Sequence, residues 1–109
     1  MKKPNYDLSE RDIQGQIIDW LKVRRIFYWR ANTGAMHAKH NGKSRFVRFG
    51  RLGQPDLFAL RDGTLYGIEV KAASGEQSPK QIEFSVEFTR AGGHYILAYS
   101  LEDAIKGIE

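Results

Sequence analysis

The chain has 109 residues, a formal net charge of +4, 41% hydrophobic and 28% charged residues, enough for one compact domain and too few for two. No apolar run nears the length of a membrane span, and "MKKPNYDLSERD" sets two lysines before no apolar segment, so neither a membrane partner nor a signal peptide is expected. The absence of cysteine removes disulfides, thiolate catalysis and Cys-based zinc sites, which suits a reducing, cytoplasmic setting.

In chain order, "LSERDIQGQIIDWLK" reads as a helix. Ser9 is its N-cap, Asp12 completes a capping pattern, Leu8 can staple against Ile13, and Ile13, Ile17, Trp20 and Leu21 form one apolar stripe. "IFYWRA" is β-branched and aromatic and reads as a strand. "NTGAMHAKHNGK" reads as a loop, "RFVRF" as a half-buried strand with its bases outward, and "GRLGQ" as a glycine turn. "PDLFAL" and "LYGIEVK" are two apolar runs joined across Asp62-Gly63, a type I′ hairpin signal. "SPKQIEFSVEFTRAGG" is a helix capped by Ser78, with Pro79 in its first turn, Gln81 closing a capping box and Gly92-Gly93 as its stop. "HYILAYS" is a strand, internal or paired across a dimer, and "LEDAIKG" a short helix. The order is helix, about three strands, helix, strand, helix: a small mixed α/β layer structure.

The charge is unevenly placed. Between Trp20 and Pro55 there is no Asp or Glu, while Lys22, Arg24, Arg25, Arg30, Lys39, Lys43, Arg45, Arg48 and Arg51 all fall there, with His37 and His40. Such a block is the footprint expected for a polyanion, nucleic acid above all. The bland alternative is a solvated basic face, against which the interleaved aromatics argue. His37 and His40 have no third ligand at a suitable spacing, so nucleic-acid contact or solvation is their expected role. No GxxxxGK[ST] loop is present, so no nucleotide cofactor is expected.

With the Asp62-Gly63 turn taken literally, Arg61 faces Thr64, Leu57 faces Ile68, and Asp56 faces Glu69 with Cβ atoms about 5 Å apart. Leu57, Ala59, Ile68 and Val70 then share the opposite, core-facing side, and Lys71 lies about 7 Å along from Glu69 on its face. A bulge at Gly67 would shift this register. Two facing carboxylates repel unless a positive group lies between them. A hard dication, Mg²⁺ or Mn²⁺, suits them, and Lys71 can stabilise a negative transition state. Glu-x-Lys alone ordinarily marks only a solvated strand face with a weak surface ion pair.

"GQPDLFAL" followed by "GIEVKAASGEQSPKQ" resembles the VRR-NUC (virus-type replication–repair nuclease) domain, a branch of the PD-(D/E)xK nucleases. Pro55-Asp56 and Glu69-Val70-Lys71 match the superfamily signature. Gly53, Ser78 to Gln81, Glu10 with Gln14, and Arg30-Ala31-Asn32-Thr33-Gly34 match the branch. The resemblance spans nearly the whole chain and implies a single stand-alone domain over 1–109. The fold it implies is a restriction-endonuclease-like αβββαβ core, a mixed central sheet flanked by helices.

Carried over, Asp56 and Glu69 are metal ligands with the Val70 backbone carbonyl, and Lys71 is the catalytic lysine. Glu10 is a further ligand or water-positioning group, and Gln81 sits at the active site. The helix dipole alone accounts for an acid at Glu10, and the capping box alone for Gln81. Arg30, Asn32, Arg45, Arg48 and Arg51 are the expected nucleic-acid contacts. The function so implied is a Mg²⁺- or Mn²⁺-dependent DNA endonuclease, selective for branched or junction DNA, acting as a homodimer in phage or bacterial replication and repair. The alternative from another class is a non-catalytic basic nucleic-acid-binding module.

Overall fold

The structure, a computed structural model, describes residues 8–31, 34–40 and 42–109, with the backbone alone at 34–40 and 45–49. The elements run α1 (Glu10–Val23), β1 (Phe27–Arg30), β2 (Gly34–His40), β3 (Lys43–Phe49), β4 (Leu57–Arg61), β5 (Thr64–Val70), α2 (Pro79–Arg90), β6 (His94–Ala98) and α3 (Leu101–Ile108). They form an α/β fold with three helices and a mixed four-stranded sheet of order β1-β4-β5-β6. β1, β4 and β5 are antiparallel neighbours, and β6 pairs parallel to β5.

α1 starts as its caps require. Ser9 Oγ accepts from the Asp12 N–H at 3.0 Å, and Asp12 Oδ2 accepts from the Ser9 N–H at 3.3 Å. Ile13, Ile17 and Leu21 are fully buried, with Leu8 and Trp20 packed against the same core. The helix closes in a Schellman motif. Ile26 N–H donates to Leu21 O at 2.9 Å and Arg25 N–H to Lys22 O at 3.1 Å, with Arg25 at φ +57°. This turns the chain directly into β1.

The hairpin has the expected register. Leu57 pairs with Ile68 and Arg61 with Thr64, around Asp62 at φ +50° and Gly63 at φ +80°. No bulge occurs at Gly67. The glycine is there for clearance instead: a Cβ on it would lie 3.0 Å from Pro55 Cγ and 3.2 Å from the Phe88 ring. Leu57, Ala59, Ile68 and Val70 face the core together with Ile96 and Ala98, under Ile13, Ile17 and Leu21 of α1 and Ala104 and Ile108 of α3. Each fully buried aliphatic side chain there contributes about 1.5–3 kcal/mol. α2 lies on the other face, where Phe84 and Phe88 meet Phe58 with ring centroids 6.4 and 5.9 Å away.

Two expectations need correcting. The segment read as a loop contains β2, which pairs with β3 from Gly34↔Phe49 to His40↔Lys43 as a separate two-stranded ribbon. Among the described residues five strands precede α2, where about three were expected. β2 has little β propensity of its own, with Gly34, Ala35, His37, Ala38 and Lys39; its partner strand makes it extended. The sequence signal for the ribbon is the dipeptide Asn41-Gly42, whose composition, like that of Asp62-Gly63, favours two-residue hairpin turns. "HYILAYS" contains β6, which pairs parallel with the chain's own β5 and forms the edge of the sheet opposite β1.

Candidate active site

Asp56 immediately precedes β4 and is held on both sides. Its carbonyl accepts from Ala31 N–H at 2.9 Å, and its Oδ2 accepts from Val70 N–H at 2.7 Å. A strand residue's N–H and C=O leave on the same side, so the Val70 carbonyl also leaves β5 on the β4 side. Glu69 sits one residue earlier on β5, between β4 and β6, and is only 2% exposed. Its Oε2 accepts from Gln81 Nε2 at 3.0 Å and pairs with Lys71 Nζ at 3.5 Å. Its Oε1 is buried with no hydrogen-bond partner.

The Asp56 and Glu69 side chains lie on one face of the sheet, near enough for the Asp56 charge to act on the Glu69 carboxyl. Burial pushes the Glu69 carboxyl up to about 7. The charge of Asp56 adds to this and that of Glu10 adds less, while Lys71 opposes both. Asp56 is also raised, by burial above all and by Glu10, against the Val70 N–H bond and Lys71, which lower it. Leaving a buried carboxylate oxygen unmatched is costly. Two carboxylates, one such oxygen and a backbone carbonyl form a hard donor set that fits Mg²⁺ or Mn²⁺.

Glu10 lies near enough to act on both acids, yet it does not complete a three-carboxylate set. Among the described residues no group of three or more His, Asp or Glu side chains is placed to hold a metal. Lys71 extends the β5–β6 ladder through its N–H to Ala98 O at 3.0 Å, and its side chain is 13% exposed. Gly75 packs on its stem, and Tyr99 Oη donates to Gly75 O at 3.1 Å, fixing the loop that covers it.

Gln81 has both roles open to it. Its Oε1 accepts from Ser78 N–H at 2.8 Å and closes the capping box, while its Nε2 serves Glu69. Tyr95 was not singled out from the sequence. Its hydroxyl accepts from Gln77 Nε2 at 3.0 Å, and burial, then the Glu69 charge, pushes it up to about 12, so it stays protonated. Only the β5–β6 register, with Gly67 opposite Tyr95, brings it here, and no local pattern foretells that register.

A cleft of about 420 Å³ opens beside Asp56 and Gln81, lined also by Ala31, Leu52, Gly53, Gln54, Pro55, Ser78 and Lys80. Gly53, at φ +83°, shapes its wall: a Cβ there would lie 2.2 Å from Lys80 O and 2.6 Å from Lys80 C. Gly53→Ala should therefore destabilise the fold by roughly 1–3 kcal/mol and displace the start of α2. Gly63→Ala is the control, since Gly63 has the same backbone sign at φ +80° with nothing nearby. Thermal unfolding of the two variants checks this; equal losses would show that strain alone, without the Lys80 contact, sets the cost.

The expected nucleic-acid contacts are spread out. Arg30 donates from Nε and Nη2 to the Gln14 amide oxygen at 3.2 Å, in the orientation that lets that oxygen accept. Arg51 sits over α2 instead of the cleft, pairing with Glu87 at 3.2 Å and lying 5.9 Å above the Phe84 ring. Arg45 and Arg48 are on β3, and His37 and His40 on β2; their side chains, and Asn32 altogether, lie outside the described residues. Among the described residues no helix is long and apolar enough to cross a membrane.

Compared with known proteins, the chain matches no family model, no curated protein and no solved structure.

Proposed function

We propose that this chain is a metal-dependent DNA nuclease of the PD-(D/E)xK type, in its VRR-NUC branch, hydrolysing phosphodiester bonds of branched or junction DNA as a homodimer. The observation that carries this reading is the Asp56–Glu69 pair: a half-buried and a buried carboxyl on one face, one Glu69 oxygen unmatched, with the Lys71 ammonium alongside. The element order supports it as well. Apart from the β2–β3 ribbon after β1 and α3 after β6, the chain runs helix, three strands, helix, strand, as in the αβββαβ core.

Asp56, Glu69 and the Val70 carbonyl would hold Mg²⁺ or Mn²⁺. When bound, the dication supplies Lewis-acid stabilisation of charge building on the phosphate oxygens. The chain's residues do the rest. Val70 N–H and Gln81 Nε2 fix one oxygen on each acid, Oδ2 of Asp56 and Oε2 of Glu69. Lys71 neutralises charge on the transferring phosphate and orients the attacking water. Glu10, at the rim, positions water rather than completing the ligand set.

The test uses supercoiled and four-way-junction DNA at low salt. Wild-type protein should cut both with Mg²⁺ or Mn²⁺ and neither with EDTA, while DNA binding survives chelation. Intact DNA with metal present but undiminished binding would favour a non-catalytic binding module instead.

A further inference from the structure

β1 is an edge strand, and two of its four side chains are aromatic and open: Phe27 is 66% and Trp29 42% exposed. Trp29 pairs opposite Phe58, and Phe27 opposite Leu60, itself 42% exposed. Phe58 is two residues along from Asp56, so these side chains and the two acids share one sheet face. Ala31, in the cleft wall, is likewise two residues from Trp29, about 7 Å along the strand. The indole stacks on Phe58 with centroids 5.2 Å apart and planes 25° from parallel. Phe58 is braced in turn by Phe84 and Phe88. Trp29 is thus braced by Phe58, with the Phe27 ring tilted against it at 6.0 Å, and keeps 42% of its surface exposed to a flat partner.

Charge decides between possible occupants. The chain around this strand, from Trp20 to Pro55, has no carboxylate and many bases, among them the exposed Arg25 just before the aromatic pair, while Arg30 bonds Gln14 on the opposite face. A second copy docking face to face would set these cations against each other. A nucleic-acid strand brings phosphates to them and base faces to the rings.

We infer that Phe27 and Trp29 form a stacking platform for unpaired bases next to the cut site, so that single-stranded or locally opened DNA is held in preference to continuous duplex. The inference rests on the nuclease reading for its orientation toward Asp56, though its test does not need cleavage. A duplex keeps its base faces stacked on one another and cannot use the platform; an unpaired strand can.

Affinity for a labelled single-stranded oligonucleotide and for a blunt duplex of equal length is measured in EDTA by fluorescence anisotropy. Trp29→Leu keeps an apolar cover on Phe58 and removes the flat surface. It should weaken single-strand binding about tenfold to a hundredfold and leave duplex binding unchanged. In a Trp20→Phe background, fluorescence from Trp29 alone should be quenched by the single strand, which tests the contact without altering the platform. No quenching, or equal effects of Trp29→Leu on both DNAs, overturns the inference. So does sedimentation showing that Trp29→Leu dissociates a dimer, since the patch would then be a subunit contact. If Trp29→Leu loses single-strand binding while the wild type cuts nothing, the platform stands and the nuclease reading fails. Normal cleavage with unaltered binding sinks the platform alone.

Discussion

Glu69→Gln is expected to make the metal-free protein more stable at neutral and alkaline pH, and to abolish cleavage. The folded chain holds the Glu69 carboxyl at about 7 against an ordinary 4.5. Between these values the native state keeps a proton that the unfolded chain releases. Stability therefore falls as pH rises through that window, by up to 1.36 kcal/mol per unit, or about 3 kcal/mol in all. Glutamine removes the loss without removing volume: its carbonyl can accept from Gln81 and its NH₂ can donate to Asp56. Thermal melts in EDTA should converge for wild type and variant near pH 4.5 and separate by about 10 °C above pH 7. Adding Mg²⁺ should then raise the wild-type Tm at pH 8 and leave the variant's unmoved, because the metal needs the deprotonated pair. A wild-type stability that is flat from pH 4.5 to 8 would contradict the electrostatics assigned to this pair.

Lys71→Met should lower the cleavage rate on the order of 10²–10³-fold, the usual effect of deleting one charge-stabilising donor at a reacting centre. It should also leave a second mark. The ammonium opposes the rise in the Glu69 pKa, so its removal raises that pKa further. The ascending limb of the residual pH–rate profile should move to higher pH, with a greater metal requirement at neutral pH. Lys71→Arg keeps the positive charge, so it should return the limb toward its original position while recovering the rate only in part. A methionine variant that cuts at the wild-type rate would remove Lys71 from the mechanism.

The part of the site built on one hairpin was readable because its geometry is local. Asp62-Gly63 fixes the turn, the turn fixes the register, and the register sets Asp56 against Glu69. Capping chemistry located the starts of α1 and α2 for the same reason. Features set by long-range packing were not readable. Gly67 and Gly53 look alike in sequence, yet one makes room for Pro55 and Phe88 and the other for the Lys80 backbone. The place of Tyr95 beside Glu69 depends on a parallel pairing formed only after α2 has crossed over. The ribbon was not readable because β2 owes its extension to β3.

The amide of Gln81 is divided between the start of α2 and Glu69, which leaves this position almost no mutational freedom. Glutamate would preserve the reach to Ser78 but press a third anion onto the acidic pair. Asparagine is one methylene too short to span both partners. A surface-facing helix residue is thereby tied as tightly as one in the interior, and drift at this position would disturb secondary structure and chemistry together.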